Sequence, residues 1–525
     1  MNLRISTSLF VIILFSLFSC TKNAPEKTSY KGESASRSTA STVNKSDHQI
    51  IEEVNQGIVA IKAKEEINDK IDAVLDMAKA AGNEKKLVLQ LYAAVLAPAQ
   101  LLEGMVWRLR GVIEKSGLLH LNAVDTIKGI YYKGYMVGDH IKSAVRYLVE
   151  PKMDSKEFES VAQVQDFFYD IANPIVENSL KKIQFVIANA SPNFNFEFDG
   201  YLISGKHSER DKSGSVTGET KLVSEKNRFY KVIRPHLFYA ESMTERILGT
   251  ISYAANYNAE AATTFVNKML KKTALNQLAT KRPKFMTPKE ALEVLEGGWK
   301  NMKKGERFHR HYRAFLKKRK RFSVAQVEEN LDRSFHHFYR STKTELQAYN
   351  GSISESDHSK GSAYIVDPNW LKLRTEKTRQ RLSERITLYE YGMKGKSIGF
   401  QSLVTGKMIN SGESFPITSD VTGEQVKVNL KALFRYQKDL KYFLPTHFKG
   451  KVRGAYTKRT NKKAVKKFGK KVWQWHYTYG KPLQWPDPTF GNFLPDNTNE
   501  NIFTTMRILK QTMSVAPYIG YLPVP

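Results

Sequence analysis

The sequence predicts a mainly α protein, with an N-terminal helical bundle, a second, basic helical region and a smaller mixed α+β C-terminal domain. Three observations lead to this prediction. Apolar residues recur every three to four positions through much of residues 47–190 and 226–350, as in amphipathic helices. Hydrophobic residues make up 41% of the 525-residue chain, so a buried core can form. Within residues 351–525, short apolar stretches between glycine turns indicate small strands.

The first twenty residues have the layout of an export signal. Arg4 precedes an apolar run, Leu9–Phe18, and Ser19 then stands before Cys20, the only cysteine in the chain. The ending Leu17-Phe18-Ser19-Cys20 resembles the lipobox of bacterial lipoproteins. The resemblance implies that residues 1–19 are removed as a signal peptide and that Cys20 carries acyl chains such as palmitate.

This resemblance also implies a location. An acylated Cys20 would anchor the protein in a membrane of the cell envelope, because buried acyl chains hold a protein at a bilayer. Thr21 follows the cysteine, where an aspartate favours inner-membrane retention in the resembled family, so we expect the outer membrane. The sequence does not decide on which side of that membrane the body of the protein lies. Residues 20–46, rich in Lys, Ser and Thr, form the acylated cysteine and a flexible tether.

The N-terminal bundle is predicted for residues 47–190. Its most apolar segment is Leu87–Trp107, which could insert into a membrane or form a buried central helix. Pro98 and Glu103 favour the buried helix, because both residues are costly in lipid. Asn83 is placed to cap this helix.

Further helices are expected in both helical regions of the chain. Residues 121–149 keep a helical period, and Pro174 marks a break or kink in the helices that follow. Helical spacing returns from Phe229 to Asn350. Ser323 is predicted to cap a helix over Val324–Tyr349.

Residues 191–225 are predicted to form a β-hairpin and an exposed loop. Aromatic and polar residues alternate over Phe194–Phe198, and Asp199-Gly200 then suits a tight turn before Tyr201–Ile203. The polar stretch Lys206–Lys221 reads as the loop. After a Gly/Ser-rich break at Gly351–Ser362, the α+β domain begins.

The charge balance is strongly basic, at +30 with 82 Lys+Arg against 52 Asp+Glu. Two tracts concentrate it: Lys303–Arg321, with one acidic residue, and Lys449–Lys471, with none. Each tract is either an anion-binding surface or a solvated face that maintains solubility. We favour anion binding, and the candidate residues are Lys317, Lys318, Arg319, Lys320, Arg321, Lys458, Arg459, Lys462, Lys463, Lys466, Lys467, Lys470 and Lys471.

An aromatic stripe follows the second tract. In Trp473-Gln-Trp475-His-Tyr477-Thr-Tyr479 every second residue is aromatic, so a strand would place the four aromatic positions on one face. Exposed, that face could stack on sugar rings, with Trp485 nearby. Buried, it is the core strand of the C-terminal domain, which we favour because aromatic side chains supply large buried area.

Motifs for catalysis and metal binding are weak. His309, His311 and the pair His336-His337 lack good zinc spacing, and adjacent histidines point to different helix faces. The chain contains no H-E-x-x-H and no G-x-S-x-G. We therefore expect no catalytic residue, metal or cofactor, although the enzyme question stays open.

The sequence supports three hypotheses for function. The first is a non-enzymatic, lipid-anchored envelope protein whose basic surface engages an anionic polysaccharide, lipopolysaccharide or acidic lipid. Nucleic acid is a less favoured partner because of the envelope location. The second is an enzyme acting on an envelope glycan through the aromatic stripe. The third is a subunit of an envelope machine. The oligomeric state is left open.

Replacing the lipobox cysteine tests the anchor. Cys20→Ala removes the only thiol that can be acylated, and each buried acyl CH2 contributes about 0.8 kcal/mol to membrane binding. We expect the variant to move from the membrane fraction to the soluble fraction of lysed cells, measured by immunoblotting after ultracentrifugation. Ser34→Ala in the tether should stay with the membrane. Membrane attachment of Cys20→Ala equal to that of the wild type would contradict the lipobox interpretation.

Overall fold

The computed structural model describes a mainly α protein, as the sequence predicts. The described residues are 45–80, 82–115, 139–151, 155–199, 206–210, 216–221, 229–260, 317–355, 363–364, 375–394, 398–400, 426–436, 458–467, 470–478 and 486–500. Cys20 and the tether up to residue 44 lie outside this set, and the last residue assigned to the tether, Ser46, caps the first helix.

The first helices, α1 (Asp47–Val59) and α2 (Glu66–Lys79), are amphipathic and follow one another across a short break. Ser46 begins α1 with a capping box: its side chain accepts from the backbone N–H of Gln49, and the Gln49 side chain accepts from the backbone N–H of Ser46. Both helices turn their apolar faces to a shared core. The predicted helical period is therefore confirmed here.

The apolar segment Leu87–Trp107 is a buried helix followed by a bend. Helix α3 (Leu87–Ala99) continues into a 3₁₀ turn (Gln100–Leu102) and then α4 (Met105–Lys115). Most of α3 is buried against its neighbours. Among the described residues no single helix is long and apolar enough to cross a membrane, and α3 with α4 meets that test only as a pair bent by 45°.

The predicted cap of this helix is wrong. Lys86 is the N-cap residue of α3 and makes no side-chain cap bond. Asn83 is buried instead, and its side-chain amide donates to the carbonyl of Met77 at 3.1 Å. The side chain thus stabilises the connection from α2 rather than the start of α3.

Pro174 marks a π turn. Helix α5 (Asp139–Val149) precedes α6 (Val161–Phe167), which passes through π turn Phe168–Ala172 into α7 (Asn173–Asn189). Because proline has no N–H, residue 174 cannot bond the carbonyl four residues back. The N–H of Asn173 bonds to the carbonyl of Phe168, five residues back. The widened turn keeps the helices continuous, so Pro174 shifts the hydrogen-bond ladder rather than ending it.

The strands after α7 pair differently from the prediction. Strand β1 (Asn195–Asp199) pairs antiparallel with β4 (Phe229–Ile233), although 229–233 was expected to be helical. The expected loop over 206–221 is wrong, because β2 (Lys206–Arg210) and β3 (Val216–Lys221) form an antiparallel pair. Tyr201–Ile203, the second strand of the predicted hairpin, lie outside the described residues. Phe196 of β1 and Val232 of β4 are buried in the same apolar core. The partner of β1 is therefore decided by which residues are buried together, and not by nearness in the sequence.

Two long helices pack on one another near the middle of the chain. Helix α8 (Arg234–Ala254) packs antiparallel on α9 (Val324–Glu355), with Asn256 near Asn330 and Pro235 near Gly351. Ser323 caps α9 as predicted, in a capping box with Gln326.

Helix α9 crosses the boundary expected between residues 350 and 351. It continues through the Gly351 that was read as a break and ends at Glu355. A Cβ built on Gly351 would lie 2.8 Å from Cγ of Pro235. This glycine therefore permits close packing of two helices instead of ending one.

The remaining described elements are one further helix, short turns and strands. A parallel pairing adds β5 (Ala363–Tyr364) to β4, so the sheet has the order β1-β4-β5. Helix α10 (Thr375–Met393) contacts α9, and β6 (Ile398–Phe400) pairs with β7 (Val426–Val428) before a 3₁₀ turn (Leu430–Phe434). Strands β8 (Lys458–Lys467) and β9 (Lys470–Thr478) form a separate antiparallel pair.

Two principal apolar cores hold these elements. The first joins α1, α2, α3 and α7 with β1, β4 and the start of α8. The second joins the end of α8, α9, α10 and the 3₁₀ turn Leu430–Phe434 around the fully buried Phe335. Helix α8 contributes to both cores, so it links the N-terminal helices to the rest of the described chain.

Two glycine-to-alanine substitutions should have opposite effects on stability. Gly351→Ala places a Cβ against the rigid ring of Pro235, so we expect a loss of about 1–3 kcal/mol. Gly57→Ala in α1 meets nothing within 4 Å, so the lower helix propensity of glycine predicts a gain of about 0.5–1 kcal/mol. Urea unfolding followed by circular dichroism measures both. A neutral or stabilising Gly351→Ala would contradict the close approach of α8 and α9.

Candidate functional site

The second basic tract and the aromatic stripe are the two strands of one hairpin. Strand β8 contains Arg459 and five lysines of the tract, and β9 begins with Lys470 and Lys471 and continues into the first three aromatic positions of the stripe; residues 449–457 of the tract lie outside the described residues. The register pairs Trp473 with Ala464, Trp475 with Lys462, and Tyr477 with Arg459. We call residues 458–478 the basic hairpin. The predicted strand is therefore present, and its partner is the tract that precedes it.

Like charges face one another at the connected end of the basic hairpin. The register places Lys466 opposite Lys471 and Lys467 opposite Lys470. Directly opposite like charges destabilise an antiparallel pair. Neither strand contains an acidic residue that could offset this repulsion. An anion bound across these positions would relieve it, so the arrangement suits anion binding.

The predicted stacking residues are only partly covered by the structure. Trp473, Trp475 and Tyr477 lie in β9, and the side chains of this strand are outside the described set. Tyr479 and Trp485 lie outside the described residues altogether. The choice between an exposed stacking face and a buried core strand therefore remains a hypothesis.

Two arginines at the end of the first basic tract are paired with acidic side chains in the fold, whereas residues 303–316 of the tract lie outside the described residues. Arg319 donates to Asp166 at 2.8 Å, and its side chain is only 10% exposed. Arg321 forms a two-pronged hydrogen-bonded ion pair with Asp170, at 2.8 and 3.0 Å, and also donates to Asp166. Lys318 donates to the carbonyl of Phe322 at 2.7 Å.

This pairing makes Arg319 and Arg321 less available for an anionic ligand than the sequence alone suggests. Both acidic partners lie around the π turn, far away in sequence, so the composition of the tract gave no sign of them. The hydrogen bonds that Arg321 donates to Asp170 and Asp166 raise the pKa of Arg321 above its usual value, which keeps the guanidinium charged and paired. Lys317 and Lys320 are exposed and stay candidates for anion binding.

The histidines of α9 have separate partners. His336 lies 3.5 Å from Asp332 on its own helix, whereas His337 bonds to Glu245 of α8. Burial lowers the pKa of His336. No group of three or more metal-ligating side chains occurs within the described residues. His309 and His311 lie outside them.

The sequence gave no indication of a buried polar cluster between α8 and α9. Glu245 is 0% exposed and accepts a hydrogen bond from Nε of Arg340 at 2.8 Å, and its other carboxyl oxygen is hydrogen-bonded to Nδ1 of His337 at 2.5 Å. Nη2 of Arg340 lies 3.1 Å from the same Nδ1, so the three side chains form one cluster. Nearby, the hydroxyls of Ser242 and Ser341 are hydrogen-bonded at 3.0 Å.

This cluster serves to align the helices. The imidazole of His337 is buried between α8 and α9. Its charged neighbours, Glu245 and Arg340, are hydrogen-bonded to one another. Polar residues at helical spacing inside an otherwise apolar seam are the signal that sequence analysis could have used: Glu241, Ser242 and Glu245 on α8, with Ser334, His337 and Ser341 on α9. A buried polar pair of this kind fixes the register of two helices.

Comparison with known proteins adds no assignment for this site. The chain matches no protein-family model, no curated protein and no solved structure.

Removing Glu245 should destabilise the helix pair. Glu245→Ala leaves Arg340 and the buried His337 without their hydrogen-bond partner, so we expect a loss of about 3 kcal/mol, at the low end for a broken buried pair because Arg340 is half exposed and can be hydrated. The matched control is Glu329→Ala, which breaks the exposed pair with Arg333 on α9 and should cost less than about 0.5 kcal/mol. Chemical denaturation gives both values. Equal losses would contradict the assigned role of Glu245.

Proposed function

We propose that this protein is a lipid-anchored component of the bacterial cell envelope that binds an anionic envelope polymer through the basic hairpin. The lipobox-like ending at Cys20 supports the anchor, and Thr21 supports the outer membrane. The tether of residues 21–46 would let the body reach ligands away from the bilayer surface. In this proposal the protein binds and does not catalyse.

One observation carries the binding proposal. The register of β8 and β9 sets two pairs of lysines directly opposite one another with no acidic residue in either strand. Such an arrangement is unfavourable without a counter-charge, since like charges repel and lysines are rarely buried unpaired. An anionic polymer supplies that counter-charge and is attracted before contact by the net charge of the chain.

The contrast with the first basic tract strengthens this choice of site. Arg319 and Arg321 already have carboxylate partners from the π turn. Their charges stabilise the fold and are engaged before any ligand arrives. The basic hairpin, by comparison, carries eight cationic residues over its two strands and no acidic one.

Charge reversal in the hairpin tests the proposal. We expect the combined change Lys466→Glu, Lys467→Glu, Lys470→Glu and Lys471→Glu to weaken binding of the detergent-solubilised mature chain to heparin at least about tenfold, because released counterions drive binding to polyanions. Fluorescence anisotropy with labelled heparin, at several salt concentrations, measures it.

The control keeps the same change in net charge. It reverses four exposed lysines of the N-terminal helices and their connections: Lys62, Lys79, Lys85 and Lys181. This control should bind within about twofold of wild type if local charge decides affinity. Equal weakening by the two variants would mean that only net charge matters, and would refute the hairpin as the binding site. Replacing the four hairpin lysines with Gln, which removes charge without adding new repulsion, guards against misfolding of the reversed hairpin.

A further inference from the structure

We propose that the ligand of the basic hairpin is a flexible, linear anionic polysaccharide that contacts both faces of the hairpin, rather than a flat lipid bilayer. This inference rests on the proposed function and adds the class and shape of the ligand. It is carried by the distribution of charged positions between the two faces of the β8–β9 ladder, and it takes the aromatic stripe as an exposed stacking face, the alternative to a buried core strand.

The register assigns every paired position to a face. Residues directly opposite in an antiparallel pair share a face, and successive residues of a strand alternate between faces. The face of Trp473, Trp475 and Tyr477 is here called the aromatic face. It also contains the positions of four cationic residues, namely Arg459, Lys462, Lys466 and Lys471. The opposite face contains the other four, namely Lys458, Lys463, Lys467 and Lys470.

An irregularity in the register decides which of Lys458 and Arg459 joins the aromatic face, and the division stays equal in either case. The pairing shifts between Arg459 and Asn461, so Thr460 is an extra residue in β8. A bulge of this kind moves the residues before it to the other face. Without the shift, Arg459 would lie on the opposite face and Lys458 on the aromatic face. The bulge brings Arg459 opposite Tyr477, which extends the row of cationic positions along the aromatic row.

A bilayer and a polymer differ in how many of these charges they can meet. A flat anionic surface contacts one face of a two-stranded ladder, so the four cationic positions on the other face would not meet it. Charges that lie on the side remote from the surface are screened by salt over roughly 8–10 Å. A flexible chain can pass over one edge and meet both faces. The equal division therefore favours a linear polymer.

The aromatic positions favour a glycan among linear polymers. Alternate residues of a strand lie about 6.8 Å apart, so Trp473, Trp475 and Tyr477 would span about 14 Å along the face. Aromatic rings in a row stack on flat rings of a ligand and supply contact area beside the charges. Sugars and nucleic-acid bases both offer such rings. The envelope location proposed from Cys20 favours an acidic polysaccharide.

The test compares two variants that differ only in the face they alter. One converts Arg459, Lys462, Lys466 and Lys471 to Gln, and the other converts Lys458, Lys463, Lys467 and Lys470 to Gln. Binding of the detergent-solubilised mature chain is measured to polygalacturonate, a linear polyuronate, and to vesicles of phosphatidylcholine with phosphatidylglycerol. We expect each variant to lose about tenfold in affinity for polygalacturonate, by similar factors. A loss confined to one variant would overturn contact with both faces.

Further probes separate the ligand classes. Trp473→Leu with Trp475→Leu should weaken binding to polygalacturonate at least about fivefold, as expected for lost stacking, while binding to inorganic polyphosphate, which has no rings, stays within about twofold. An equal loss for both polymers would overturn the glycan assignment. Tighter binding of the wild type to the acidic vesicles, or to a single-stranded oligonucleotide, than to polygalacturonate would also overturn it.

The outcomes keep the two proposals apart. If the wild type binds none of the polyanions, or if the Lys466/Lys467/Lys470/Lys471 reversal leaves heparin binding unchanged, the proposed function fails and this inference fails with it. In another outcome the reversal abolishes heparin binding while only one of the two Gln variants loses affinity for polygalacturonate, or while vesicles are the preferred ligand. In either case anion binding by the hairpin stands, and the polysaccharide assignment alone is refuted.

Discussion

The antiparallel contact of α8 and α9 is the constraint on which most of the described structure depends. Its seam is polar where a helix pair is usually apolar, and each polar group has its partner in only one alignment. From one end to the other the paired residues are Asn256 with Asn330, Gly249 with Ser334, Glu245 with His337, Ser242 with Ser341, and Pro235 with Gly351. A shift by one turn would leave Glu245 buried without partners, which is costly.

The same helix pair connects the two principal cores. The first turns of α8 pack with α3, α7 and the β1–β4 pair, while the last turns of α8 pack with α9 and the 3₁₀ turn Leu430–Phe434. The ion pairs between the π turn and the segment 317–321 add a second connection, because Asp166 and Asp170 hold the chain just before α9 begins. Tyr169 of the same turn also stacks on Phe322 and donates to Asn330. The start of α9 is thereby fixed at two neighbouring places.

The two basic tracts show why charge in a sequence does not by itself define a site. Both are dense in Lys and Arg, yet the arginines at 319 and 321 are used to join parts of the fold. The lysines of the basic hairpin are set opposite one another by strand pairing instead. Ion pairs such as those of Arg319 and Arg321 stabilise the folded chain without a ligand. Lysines set opposite one another repel, so the basic hairpin is stabilised most when an anion is bound. This difference is the physical basis for assigning the proposed ligand to the hairpin.

The sequence by itself determined much of the local structure, although the Asn83 cap and the loop over residues 206–221 were predicted wrongly. Helical periodicity predicted α1, α2 and the buried α3, Ser323 predicted the start of α9, and alternating aromatics predicted strand β9. Tertiary structure alone decided what depends on residues far apart in the chain. The partner of β1, the passage of α9 through Gly351, and the carboxylates that neutralise Arg319 and Arg321 all come from segments remote in sequence. Periodicity and capping act within a few residues, whereas burial, close packing and ion pairing are set only when the helices and strands meet.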